Sequence, residues 1–90
     1  MTKTITVGSS PWSITVNPKS NIIHVANCHN GTTTVINGAT NCVITNIQSG
    51  RFPDYVDVNP MMNIVYVSNV NGHTVTVING TTNKAISIKS

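Results

Sequence analysis

Ninety residues with a hydrophobic fraction of 39% suffice for one small folded unit and exclude a disordered chain. Charged residues make up only 8%, Glu is absent, the acids are Asp54 and Asp57, and the net charge of +3 comes from scattered lysines and Arg51, so no basic run points to nucleic acid. No stretch approaches the roughly 18 apolar residues of a membrane span, and Met1-Thr2-Lys3-Thr4 lacks a signal peptide's apolar segment, which leaves a protein kept inside the cell or virion, or a chain without its targeting segment.

The first predicted element is a strand at Thr4-Ile5-Thr6-Val7, stopped by Gly8-Ser9-Ser10-Pro11. Ser13 to Val16 is the second, ended by Asn17-Pro18 because proline cannot donate to a ladder. Ile22 to Ala26 is the third. Asn30-Gly31 is a tight-turn signal, since both residues tolerate positive φ. Thr32 to Ile36 follows, then a second Asn-Gly turn at Asn37-Gly38, then Val43 to Ile47. After Gly50 the series restarts with Asp54 to Val58, Ile64 to Ser68, Asn71-Gly72, His73 to Ile78, Asn79-Gly80 and Ala85 to Ile88. Val, Ile and Thr dominate, and their branched side chains favour strands. No run of helical length carries apolar residues at helical spacing. The expectation is an all-β chain of nine short strands with no helix.

The chain repeats itself. Gly8 and Gly50 lie 42 residues apart, and the same shift pairs Pro11 with Pro53, Asn17-Pro18 with Asn59-Pro60, Asn21-Ile22 with Asn63-Ile64, and Asn27 with Asn69. It continues through Val35-Ile36-Asn37-Gly38 and Val77-Ile78-Asn79-Gly80 to Thr40-Asn41 and Thr82-Asn83. A period in the low forties with four strands per unit is the signature of a β-propeller blade. The competing reading is a duplicated hairpin in a β-sandwich. Strand faces favour the propeller. Ile64 and Tyr66 share one face of their strand and Val65 and Val67 the other, so both faces need cover.

The motif Tyr66-Val67-Ser68-Asn69 resembles the tetrapeptide that names the YVTN-type β-propeller repeats. Its surroundings agree: Gly50-x-x-Pro53, Val58-Asn59-Pro60, Asn63-Ile64, Thr76-Val77-Ile78-Asn79-Gly80 and Thr82-Asn83. The first copy reads His24-Val25-Ala26-Asn27 and departs at Tyr and Thr. The resemblance covers nearly the whole chain and implies a propeller fold. For function it implies a structural or adhesive module like those of archaeal surface layers, or a part of a larger redox propeller. It also implies a cell-surface or extracellular setting.

The domain expectation is one two-blade module over 1–90: an outer, clasp strand at 1–7, blade 1 at 8–49 and blade 2 at 50–90. Closed propellers have typically 4–8 blades, and repeat units bury their faces on neighbours. Three explanations remain open: a head-to-tail homo-oligomeric ring of three or four copies (six or eight blades), an excised piece of a longer propeller, or completion by another protein. A Met start and regular units favour the ring. The clasp expectation follows from register, because Thr4 to Val7 and Ala85 to Ile88 claim the same fourth-strand slot. Thr4 to Val7 is then expected to close a neighbour's blade beside Thr74 to Ile78.

Candidate chemistry is sparse. Cys28 and Cys42 are expected at opposite ends of one sheet, beyond disulfide reach, as two free, half-buried thiols. His24, His29 and His73 fall short of the three or four converging ligands of a transition-metal site, so no metal or other cofactor is expected. His24 reads as a packed strand residue, while His29 and His73 could approach across a blade interface. Asn30 and Asn79 open glycosylation sequons that matter only on export, and turn chemistry explains both. The candidate ligand-binding residues are on the connectors: Trp12 on one, and Arg51, Phe52, Asp54 and Tyr55 on the other. Against that stands the plainer reading, in which Trp12 and Phe52 fill gaps between blades and Arg51 pairs with Asp54.

With no nucleophile–base pair in view, the expected function is a non-catalytic scaffold or interaction module with a protein or glycan ligand, and not an enzyme. The alternatives are a lectin-like oligomeric propeller and a fragment of a larger redox or surface-layer propeller.

Overall fold

The computed structural model describes residues 4–50, 52–69 and 74–89. The β-branched runs form eight strands: β1 Pro11–Asn17, β2 Ile22–Asn27, β3 Thr32–Asn37, β4 Cys42–Gln48, β5 Pro53–Asn59, β6 Ile64–Asn69, β7 Thr74–Asn79 and β8 Lys84–Lys89. They make two four-stranded antiparallel meanders, β1-β2-β3-β4 and β5-β6-β7-β8. Among the described residues there is no helix. Such sheets are compatible with propeller blades.

The ninth expected strand is absent. Thr4 to Val7 belongs to no strand. Its exposure still alternates, with Thr4 and Thr6 exposed and Ile5 and Val7 half-buried.

The turns correct a second expectation. Asn17, Asn37, Asn59 and Asn79 each end a strand, and each side-chain oxygen accepts the N–H two residues on, from Lys19, Ala39, Met61 and Thr81 at 3.0, 2.9, 3.1 and 2.9 Å. This Asx arrangement folds the chain back without a ladder partner. The left-handed residue is the fifth of each turn: Asn21, Asn41, Asn63 and Asn83 have φ of 58°, 58°, 56° and 59°. Gly38 and Gly80 do not supply positive φ; they are needed for close approach. A Cβ on Gly38 would stand 2.5 Å from Asn21 Oδ1 and 2.6 Å from the Asn21 carbonyl oxygen, which accepts the Gly38 N–H at 2.8 Å. Of the Asn-Gly pairs among the described residues, Asn30-Gly31 is the one with a positive φ, at Gly31 (68°).

The core lies between the sheets. Ala26, Val35 and Ile47 of the first pack with Val56, Val65, Val67 and Ile78 of the second. Burying each Val or Ile contributes about 1.5–3 kcal/mol. Cross-strand register shows which faces meet. Ser13, Ala26, Thr33 and Ile47 share a face of the first sheet, as do Val56, Val67 and Thr76 in the second. Under the 42-residue shift the latter correspond to Ile14, Val25 and Thr34, on the first sheet's opposite face. The sheets therefore stack in the same sense, front onto back. Asn17 Nδ2 reaches Asn63 Oδ1 at 3.0 Å across the joint, and the Val56 N–H reaches Ser13 Oγ at 3.4 Å.

Two outer faces stay partly bare, although on the first Val25 and Ile36 are buried in a groove that Ile5 and Val7 also line. On the first sheet Trp12, Ile14 and Val16 are 65%, 66% and 50% exposed; on the second, Tyr55, Tyr66 and Ile86 are 60%, 45% and 71% exposed. The expectation that both faces of β6 are covered thus holds for Val65 and Val67 and not for Tyr66.

Candidate functional site at the connectors

Each connector makes a tight, left-handed corner before its first strand. Ser10 has φ 54° and its counterpart Phe52 has φ 51°. Neither is glycine, so a cost of order 1–3 kcal/mol is held in each corner by its surroundings. The Ser10 carbonyl accepts the Cys28 N–H at 2.9 Å. The corner before β1 is thereby tied to the β2–β3 turn, and His29 on that turn comes within reach of both corners. Its Nδ1 is hydrogen-bonded to Ser10 Oγ. Its ring meets Phe52 edge-on, with centroids 6.1 Å apart at 78°, a favourable aromatic geometry. His29, Phe52, Cys28, Asn30 and Gln48 border an open cleft of about 410 Å³.

The five predicted ligand residues do not converge. Phe52 lines this cleft. Trp12 lines a different groove, on the bare face of the first sheet. Tyr55 is on the bare face of the second sheet, opposite Ser68. Asp54 is half-buried, and its Oδ1 is enclosed with no hydrogen-bond partner among the described residues. Arg51, expected to pair with it, lies outside the described residues. One aromatic cluster at the connector mouth is therefore not what the fold builds: residues adjacent in a strand point to opposite faces.

The other candidates are placed as follows. Asn30 and Asn79 are exposed, and the Asn79 side chain already caps its turn. Cys28 is buried, Cys42 exposed, and both are free thiols. Among the described residues no three His, Cys, Asp or Glu side chains gather; His73 lies outside them. His24 is a packed strand residue, 1% exposed, with both ring nitrogens unpartnered. Burial lowers its pKa to about 4 and keeps the ring neutral. No helix among the described residues is long and apolar enough to cross a membrane.

The Asn that ends the second strand of each unit, Asn27 and Asn69, is buried. Asn27 Nδ2 donates to Thr34 and Thr32 Oγ1 at 2.7 and 3.2 Å, and Asn69 Nδ2 donates to Thr76 and Thr74 Oγ1 at 2.8 and 3.0 Å. Asn69 Nδ2 also reaches the Ser49 carbonyl at 3.3 Å, so it holds the link between the sheets from the second sheet's side. Gly50 crosses it so closely that a Cβ there would stand 2.8 Å from Asn69 Cγ. The tetrapeptide's Asn acts as a latch between the sheets.

No family model matches the chain, and no curated protein does. Among solved structures, the chain resembles one titled Kuenenia stuttgartiensis hydrazine synthase, with a TM-score of 0.85 and 24% identity. The match covers 98% of this chain and 25% of the other, so this chain spans about a quarter of that one. This likeness shows the fold alone. It nevertheless corrects the expectation that the chain is not an enzyme, because the fold matched belongs, by its title, to an enzyme. The absence of a visible nucleophile–base pair was also a poor basis for it. The fold brings Ser10 to His29 across 19 residues of sequence, a pairing no local spacing announces.

Proposed function

We propose that this chain is a β-propeller scaffold or interaction module whose two blades close a ring with further copies of itself, three copies giving six blades or four giving eight. One observation carries the reading: the two bare faces are the repeat counterparts of the two faces that pack together inside the chain. Ile14, 66% exposed, corresponds to Val56, 2% exposed. Tyr66, 45% exposed, corresponds to His24, 1% exposed. A second copy stacked front onto back would repeat the internal joint, with Asn59 and Asn21 standing where Asn17 and Asn63 stand. Such a contact is heterologous, so it propagates until the rotation closes. Large exposed apolar patches are the usual mark of an association surface. The resemblance to YVTN-type repeats supports the same architecture.

The mass of the assembly by light scattering tests this. Three or four copies are expected; a stable monomer at micromolar concentration would sink it. A second reading is favoured by the coverage of the hydrazine synthase match: the chain is one section of a longer propeller, and its bare faces meet neighbouring blades of the same polypeptide. On that reading the isolated chain stays monomeric or aggregates without defined size.

A further inference from the structure

We infer that Thr4–Val7 is the fourth strand of the preceding blade, and that in the assembly it pairs with β7 of a second copy in place of that copy's β8. The inference rests on the ring reading above. It starts from a point-by-point match. Inside the chain, Ile47 of β4 packs into the core with Val56, Val65, Val67 and Ile78. Shifted by 42 residues, these five are Ile5, Ile14, Ile23, Val25 and Ile36, and all five line one apolar groove on the first sheet's outer face. Ile5 therefore sits on the first sheet as Ile47 sits on the second. It occupies the fourth-strand place of a blade that is not there. The alternating exposure of Thr4 to Val7 is that of a strand with one covered face. Its unpaired edges are templates for another chain.

The incoming blade of a second copy would bring β8 into this same place. The two candidates differ in fit. β4 is seven residues long and pairs with β3 through an irregularity between Val35 and Ile36. β8 is six residues long and pairs with β7 in unbroken register. Only Thr4–Val7 keeps the repeat's own register, and Gly8 packs against Asn27 as Gly50 packs against Asn69. In that register Ile5 opposes Val75 of the second copy, as Ile47 opposes Thr33.

The test is disulfide trapping in a chain with Cys28→Val and Cys42→Lys, the residues at the corresponding repeat positions. Ile5→Cys with Val75→Cys should give a ladder of covalently linked copies on oxidation. Val75→Cys with Ile88→Cys, opposed within the chain, should link poorly in the assembly. A ring by mass in which only the second pair links, within single chains, overturns the inference and leaves the ring standing. A monomeric mass overturns both. Hydrogen exchange on the unmodified chain is independent of the substitutions. Thr4–Val7 amides should gain protection on assembly while β8 amides lose it; the reverse pattern rejects the exchange.

Discussion

Asn17 donates its side-chain amide to Asn63 Oδ1 at 3.0 Å, while Asn59, its counterpart one repeat later, is exposed. The same residue type in the same turn thus has two situations in one chain. Asn17→Asp keeps the oxygen that caps Lys19 and replaces the donor with a charge at a 1% exposed position. The expected loss is about 2–4 kcal/mol in urea unfolding, from the unmet acceptor and the desolvated carboxylate. Asn59→Asp should change single-chain stability by no more than about 0.5 kcal/mol. In the proposed ring it should weaken association at the seam with Asn21.

His24 makes stability depend on acid. Its folded pKa is lowered from 6.5 to about 4 by burial, so the unfolded chain binds the proton first as pH falls. Stability from this group is complete above pH 6.5, declines between there and about 4, and is flat below. The total is about 3 kcal/mol at 1.36 kcal/mol per pH unit. Chemical denaturation at a series of pH values checks this. His24→Leu should remove most of the slope, and an unchanged slope would assign it elsewhere.

Trp12 is the chain's single tryptophan and is 65% exposed on the groove face. In the proposed ring it enters the seam beside Tyr55. Its emission should shift to the blue as protein concentration rises, in step with the measured mass. Ile14→Glu, on the same bare face, should abolish that shift and leave the fold intact. Val67→Glu, fully buried between the sheets, should unfold the chain.

Gly38→Ala separates two reasons for a glycine. The backbone there does not need positive φ, yet the added methyl would meet Asn21 at 2.5 and 2.6 Å. A loss of about 1–3 kcal/mol is expected. Asn41→Gly, at φ 58°, removes a left-handed side chain and should fall within about 0.5 kcal/mol of neutral. Thermal melts of the two variants should therefore differ in a direction the dipeptide Asn37-Gly38 does not suggest.

That contrast marks the reach of the sequence. Eight strands were legible because Val, Ile and Thr runs are cut by Asn, Gly and Pro at fixed offsets. That each sheet needs a neighbour was legible from the apolar residues on both faces of β6, but which faces meet was not, since Ala26 in the core has the exposed Ser68 as its repeat counterpart. The site of left-handed backbone was not, since both Asn37-Gly38 and Asn41 have the chemistry and only the neighbouring turn decides between them. Thr4 to Val7 has strand composition, but a strand needs an edge to pair with, and that depends on what lies beside it. At the connectors, Phe52 was anticipated and its partner was not. His29 reaches Ser10 and Phe52 only after two turns have been folded over each other.

The bond from Asn69 to the Ser49 carbonyl, with Gly50 pressed on the same side chain, fixes more than a link. With the Asn17–Asn63 and Ser13–Val56 bonds and the shared core, it is one of the contacts that hold the angular increment from one sheet to the next. In a closed ring that increment, divided into a full circle, is the number of blades. Loosening it with Asn69→Ser should yield a spread of ring sizes in native mass spectra instead of a single species.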